Sequence, residues 1–323
     1  MCGWRAKPAE NPDVTGSANR PRILVIKLGA LGDFIQSLGP MQAIARHHKD
    51  ASLTLLTTAP FVEIARASGL FDEIWGDGRP KGFVKTLALT RRLSWAGFQR
   101  VYDLQTQSRS NLYFYLLWPK TEWSSIAYGA SHRHVDSMRG RTHVTDVQRA
   151  QLKCAGIDDV RGADLSFLTG DIGNIKIETP YVLLVPGGAA HRLAKRWPAS
   201  CYGLLAQGLS GQGMTPVIIG GNEEHEIARE IKARAPASVD LSGQTNFGQL
   251  ATLARGAKAA LGNDTGPMHI IARSGCPSLV LFSKASDPAL CAPKGPKVDI
   301  LQGQDLSLLQ VGEVLERLQS LVS

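Results

Sequence analysis

Three short segments gather the residue types that handle phosphates, hydroxyls and protons. The first is Leu261-Gly262-Asn263-Asp264-Thr265-Gly266-Pro267-Met268-His269. An apolar run, Ala257 to Leu261, precedes it and reads as a buried parallel strand, and Met268 to Ser274 reads as a helix. Thr265 can cap that helix, and Pro267 suits its first turn. A carboxylate, a hydroxyl, a glycine and an imidazole would then meet where a strand ends and a helix begins. That end of a parallel sheet takes ligands, and the helix N-terminus favours anions. A capped turn with Asp264 in solvent is the plainer alternative.

The second segment lies near the N-terminus. Ile23-Leu24-Val25-Ile26 reads as a strand, Lys27-Leu28-Gly29-Ala30-Leu31-Gly32-Asp33 as a glycine turn, and Phe34 to about His47 as an amphipathic helix. Glycines at such a turn let the backbone approach a ligand closely. The stretch is not a G-x-G-x-x-G fingerprint, and no acid ends the next strand at Thr57-Thr58. Both departures weigh against a nicotinamide-dependent dehydrogenase. Asp33 stands at the mouth of this cleft, as a base or as a plain helix cap. The third segment runs from the strand Tyr181–Val185 through Pro186-Gly187-Gly188 into Ala189-Ala190-His191-Arg192-Leu193-Ala194-Lys195-Arg196-Trp197-Pro198. Basic side chains on a glycine-rich loop above a sheet suit a diphosphate.

Taken together, K-x-x-x-x-G-D at Lys27 to Asp33, K-R-W-P at Lys195 to Pro198, G-G-x-E-E at Gly220 to Glu224 and N-D-T-G-x-x-H at Asn263 to His269 carry a resemblance. In that order and at that spacing they resemble family 9 glycosyltransferases, the ADP-heptose:lipopolysaccharide heptosyltransferases and their relatives, from about Arg22 onward. The resemblance implies an inverting, metal-independent transfer of a heptose or related sugar from a nucleotide diphosphate to a lipopolysaccharide core acceptor. It implies Asp33 as the catalytic base. On the donor side Lys195, Arg196, Gly187, Gly188, His191, Glu224, Thr245, Asp264, Thr265, Gly266 and His269 are expected. Asp264 would bond donor hydroxyls, and His269 would reach a phosphate or orient Asp264, unless it is only a packed helix residue. Glu223 and Glu224 are alternatives for holding a ribose. Gly32, Arg133, Arg139 and Arg141 are expected on the acceptor side. Where characterised relatives carry hydroxyl residues before the lysine, this chain has Ala189-Ala190-His191, which leaves the donor sugar open. A nucleotide-sugar epimerase of the same architecture and a non-catalytic nucleotide-sugar-binding protein remain alternative readings.

The positioning elements follow from alternation. Strands are expected near 22–27, 52–57, 72–75, 100–104 and 124–127, then 181–185, 215–219, 238–241, 257–261, 278–282 and 298–301. Helices are expected at 34–47, 60–68, 83–96 and 109–117, then 198–210, 222–235, 246–255, 267–274 and 307–321. Such alternation predicts an α/β chain of two Rossmann-like doubly wound domains. The resemblance implies that they face a cleft, the arrangement called GT-B. The boundaries read as a disordered tail, 1–21, an acceptor-binding domain, 22–172, and a nucleotide-sugar-binding domain, 173–323, with Thr169–Glu178 as linker. Helix 307–321 can pack back on the first domain.

With 323 residues and 43% hydrophobic content, two cores can be buried. No apolar run of about 18 residues suggests a membrane span, and Met1 to Arg20 lacks the apolar stretch of a signal peptide. The five cysteines are scattered, so reduced thiols in a cytoplasmic protein are expected. No cofactor and no metal site is expected: there is no D-x-D and no His/Cys cluster near the cleft. Charge is uneven: 22 Lys and Arg against 15 Asp and Glu in residues 1–170, and 14 against 13 beyond. Arg79, Lys81, Lys85, Arg91, Arg92 and Arg100 fall in a stretch without an acid, interleaved with apolar residues. Such a helix suits an anionic membrane surface, which predicts peripheral association with the inner membrane and a lipid-linked anionic acceptor. Nothing in the sequence supports nucleic acid.

Overall fold

The computed structural model describes residues 20–117, 121–135, 140–188 and 193–322. The expected tail therefore lies, but for its last two residues, outside the described residues, as do Arg139 and His191. The chain opens with β1 (Arg22–Ile26), α1 (Leu31–His47), β2 (Ser52–Leu56), α2 (Val62–Ala67) and β3 (Glu73–Trp75). It continues with α3 (Phe83–Trp95), β4 (Arg100–Asp103), α4 (Ser108–Leu117), β5 (Glu122–Ser125), β6 (His132–Arg133) and α5 (Val144–Cys154). The second half holds β7 (Tyr181–Val185), α6 (Ala199–Gly211), β8 (Thr215–Ile218), α7 (His225–Arg234), β9 (Val239–Asp240) and α8 (Phe247–Gly256). It ends with β10 (Ala259–Asn263), α9 (Gly266–Arg273), β11 (Ser278–Ser283), α10 (Pro288–Cys291), β12 (Val298–Gly303) and α11 (Val311–Ser320).

The strands form two six-stranded sheets in the orders β3-β2-β1-β4-β5-β6 and β12-β11-β10-β7-β8-β9. Every pairing within them is parallel. Counted from its own first strand, each has the order 3-2-1-4-5-6 of the doubly wound nucleotide-binding fold. The central strands are solidly apolar because helices cover both faces: β7 is buried at all five positions and β11 at all six.

The two units share a core. Leu152, Ile157, Val160, Leu165 and Leu168 belong to one apolar cluster with Leu250, Leu253, Ile270 and Ile271. The expected linker is packed, not free: Ile172, Ile175 and Ile177 lie against this cluster, and Gly170 donates its N–H to Thr252 Oγ1 at 3.1 Å.

Two elements were not expected, and one helix begins earlier than expected. Helix α5, between the basic loop and the linker, buries Gln148 and Gln151 beside Leu152, so two of its three buried positions are polar and its hydrophobic period is weak. The edge strand β6 is two polar residues long. α1 begins at Leu31, because Phe34 N–H bonds Ala30 O at 2.8 Å. Asp33 is therefore inside the first turn and caps nothing. The C-terminal helix α11 packs on the second unit. Val314 and Leu318 join Leu205 and Leu209 of α6 and Leu279 of β11, so its apolar face is spent on its own unit.

Candidate active site

Each sheet reverses its winding beside its first strand, at β1/β4 and at β7/β10, and crevices open there at the strands' carboxyl ends. The loops leaving β1, β7 and β10 are the three segments picked out in the sequence. Helices α1 and α9, which follow β1 and β10, meet across the seam between the units. Two glycines allow the contact. A Cβ at Gly32 would stand 2.6 Å from His269 Nε2, and one at Gly266 would stand 2.8 Å from Leu31 Cβ. Gly32, expected on the acceptor side, is thus filled by His269: its lack of a side chain serves the seam.

Lys195 Nζ donates to Asp264 Oδ2 at 2.5 Å, and the two side chains are only 11% and 10% exposed. Asn263 holds the surroundings together. Its Nδ2 donates to Pro186 O at 2.8 Å and Gly187 O at 3.2 Å, while its Oδ1 accepts from Trp197 N–H at 3.1 Å and Tyr202 O–H at 3.2 Å. One buried amide thereby ties the end of β10 to the loops that carry the glycines and Lys195. Asn263 stood in the sequence motif without a role.

His269 is buried, and desolvation pulls its imidazole down to about 4 against the opposing charges of Asp264 and Asp33. Asp33 is half-buried, and no described residue bonds its carboxylate. Cys291 shares the neighbourhood: burial pushes its thiol up to about 11, with the Asp264 charge adding to the effect. Below the glycine turn lies a second charged layer. Lys27 is buried, donates to Leu104 O at 3.2 Å, and is lowered by desolvation against the pull of Asp33 and Asp103. Asp103, at the end of β4, is raised to about 6 by its burial. Asp103 and Gln36 are site-lining residues that the sequence reading missed. A charged residue ending an apolar strand is the signal that could have found Asp103; Gln36 left none.

The remaining donor-side residues adjoin this cluster through β7, β8 and β9. Glu224 Oε2 accepts Gly221 N–H at 2.8 Å, and its Oε1 lies 2.7 Å from where a Cβ on Gly187 would stand. Glu224, rather than the exposed Glu223, covers the glycine turns. Gly243, which precedes Thr245, donates its N–H to Gly220 O at 2.8 Å, so the half-buried Thr245 follows a turn docked on the same glycines. Arg196 is not a free phosphate ligand here: its Nη2 donates to Gly188 O and closes the loop. Thr265 stands at the cap position of α9, but its hydroxyl makes no capping bond.

Among the acceptor-side residues, Gly32 adjoins Asp33, while Arg133 and Arg141 make no bond to it among the described residues. Arg133 sits on β6, three strands from β1, with its guanidinium 5.3 Å from the Tyr128 ring. Arg141 is exposed, with no bonded partner among the described residues. His143, from the same basic loop, instead caps α5 through Thr145 N–H, and its Nε2 lies 3.0 Å from Ala292 O of the second unit. Another cation, Arg79, comes close to the glycine turn. A cavity of about 490 Å³ is lined by Arg79, Lys81, Lys85 and Arg92, and Arg79 lies 3.9 Å from where a Cβ on Gly29 would stand. Arg92 is committed: it ion-pairs with Asp77 at 3.2 Å and stacks 3.7 Å over the Trp75 ring.

The arrangement sets an unbonded carboxylate on one unit against a lysine and a helix N-terminus on the other. It can remove a proton on one side and take up negative charge on the other.

The family model described as glycosyltransferase family 9 (heptosyltransferase) matches residues 86–310. The chain is 31% identical over 172 residues to lipopolysaccharide heptosyltransferase 2 of Salmonella typhimurium, which is 46% of this chain and 49% of that protein. It is 31% identical over 139 residues to lipooligosaccharide heptosyltransferase 2 of Haemophilus influenzae, 42% of this chain and 40% of that one. The chain thus spans about half the length, or less, of these curated relatives. Among solved structures it is similar to ADP-heptose lps heptosyltransferase II of E. coli, with a TM-score of 0.75 and 22% identity over 93% of this chain and 98% of that one. A family 9 glycosyl transferase from Veillonella parvula DSM 2008 gives a TM-score of 0.80 at 17% identity, covering 94% and 97%. The two facing Rossmann-like units are those of the GT-B fold.

Proposed function

We propose, for a chain that belongs to glycosyltransferase family 9 (heptosyltransferase), an inverting, metal-independent transfer of a heptose or related sugar from an ADP-heptose-like donor to a lipopolysaccharide core acceptor. The observation that carries it is that the buried His269, at the α1–α9 seam, faces both Asp33 of one unit and the Lys195-paired Asp264 of the other. The acceptor oxygen attacks the anomeric carbon, and its proton passes to Asp33 as the new bond forms. The bond from the anomeric carbon to the diphosphate breaks, and the nucleotide leaves with the electron pair. Lys195 has three N–H donors, so it can keep Asp264 and still bond a phosphate oxygen. Together with the amides that open α9, it stabilises the departing charge without a divalent ion. Glu224 and Thr245 border the nucleoside end, and Asp264 offers its carboxylate to sugar hydroxyls.

The anionic acceptor sits on the first unit, with its negative groups in the cavity of Arg79, Lys81 and Lys85. A peripheral position on the cytoplasmic face of the inner membrane is supported by the exposed apolar residues of the same unit. Phe83, Val84, Leu87 and Trp95 of α3 are exposed, as are Leu112, Tyr115 and Leu116 of α4 and Tyr128 and Val135 beyond them. Among the described residues, only Leu204 and Leu308 are comparably exposed in the second unit. An apolar face fringed by cations suits an anionic lipid surface, and no described helix is long and apolar enough to cross a membrane.

Asp33→Asn tests the mechanism. Sugar-nucleotide binding, read by calorimetry, is expected to stay within about twofold, while turnover falls on the order of 10²–10⁴-fold, the range for general base catalysis. Full turnover in a folded variant would remove Asp33 from the role.

A further inference from the structure

Gln36 lies on α1 of the first unit and is buried. Its Nε2 stands 3.1 Å from His269 Nδ1 on α9 and 3.3 Å from the Cys291 carbonyl oxygen on α10. A carbonyl oxygen can only accept, so the Gln36 atom facing it must be the NH2 group. Its second proton then points at Nδ1, which must offer a lone pair. In the uncharged ring the proton therefore sits on Nε2. No described residue accepts from Nε2, which lies against Gly32 beside Asp33.

We propose that Gln36 is a positioning residue that fixes the tautomer of His269, so that Nε2–H is offered to a substrate oxygen between Asp33 and Asp264. The proposal rests on the transfer reading above for what that oxygen belongs to, but the tautomer itself does not. Histidine on the donor unit is thereby set by a residue of the acceptor unit, and the site is complete only when α1 and α9 are seated together. The titratable groups facing the ring are Asp264 and Asp33, which favour its charged form, and His143, which opposes it; burial outweighs them and keeps the ring uncharged. His269 then acts as a donor of fixed direction, not as an acid or base.

The test is ¹⁵N NMR of the full chain labelled at histidine, with the His269 signals assigned by difference from a His269→Gln variant. The wild type is expected to show His269 as the Nε2–H tautomer alone at neutral pH. Gln36→Met keeps the volume and removes the donor; it should give a mixture of tautomers and lower kcat about tenfold with the KM for the sugar nucleotide unchanged, the equivalent of one oriented hydrogen bond. Gln36→Glu, of the same shape, should place a proton on Nδ1 and add an ionisation near neutral pH to the kcat profile. A wild-type Nδ1–H tautomer, or a Gln36→Met variant that keeps both the tautomer and kcat, overturns the proposal. A wild type that turns over no sugar nucleotide defeats the transfer reading instead, and the NMR result still decides the role of Gln36.

Discussion

Lys195 and Asp264 are each about one-tenth exposed and 2.5 Å apart, so they hold the site together before any ligand arrives. Removing one partner strands the other in a desolvated place, which costs about 3–5 kcal/mol when burial is complete. Lys195→Ala is expected to lower stability as well as diphosphate affinity, and adding Asp264→Asn should restore part of the stability. Denaturant melts of the two singles and the double form a cycle; strictly additive losses would mean the pair contributes nothing. His269 gives a pH signature. Its folded value, about 4, lies below the ordinary 6.5, so the unfolded chain binds the extra proton first. Its contribution is complete above pH 6.5 and is lost as pH falls toward 4. Between pH 7 and 4.5 the wild type should lose on the order of 2–3 kcal/mol more than His269→Gln. Asp103, raised to about 6, works in the opposite direction, but equally in both proteins, so it cancels in the comparison. Equal slopes would contradict the burial argument. Asp33 and Asp264 were picked out in the sequence because each stands in a glycine-marked turn, and Lys195 because it lies in a basic loop that follows one. Gln36 was not, because its partners lie 233 and 255 residues away in sequence and its helix face reads as ordinary.

At the scale of elements, the α1–α9 crossing depends on two missing side chains. Gly32→Ala would push a Cβ to 2.6 Å from His269 Nε2, and overpacking of this kind costs about 1–3 kcal/mol. Gly211→Ala, at the end of α6 with nothing within 4 Å, is the control and should be neutral or mildly stabilising. Thermal melts that failed to separate the two would mean the crossing is loose. Helix α3 carries the membrane prediction. Arg92 is held by Asp77 and Trp75, so Lys81, Lys85 and Arg91 are the cations of this stretch left for the lipid-linked acceptor and the anionic surface that carries it. Changing these three to Gln should weaken binding to anionic vesicles on the order of 10²-fold at low salt, at about 1 kcal/mol each. Cosedimentation that finds no preference for anionic over neutral lipid would sink the claim. Helices with an apolar stripe, such as α6 and α8, were readable from the sequence to within a residue or two. α5 was not. Its inward glutamines bond Leu104 O, Asp103 O and Ser124 O, and with Leu152 as the one apolar residue buried beside them the hydrophobic period is too weak to read.

At the scale of the molecule, strand–helix alternation made the two parallel sheets legible. The ligand-bearing turns fall where the winding of each sheet reverses. What alternation could not show is how the units meet. That contact is made by Gly32 with His269, Gly266 with Leu31, His143 with Ala292 O, and Asp146 with Lys294 at 3.3 Å, pairs that local sequence does not encode. The account turns on a seam where donor and acceptor react. The measurement that tests it most directly is mass spectrometry of the protein incubated with ADP-heptose in the presence of EDTA, with and without a lipopolysaccharide core acceptor. The account predicts acceptor heavier by one heptose and release of ADP only when acceptor is present. Altered or hydrolysed sugar nucleotide without acceptor, or no product until a divalent ion is added, would contradict it.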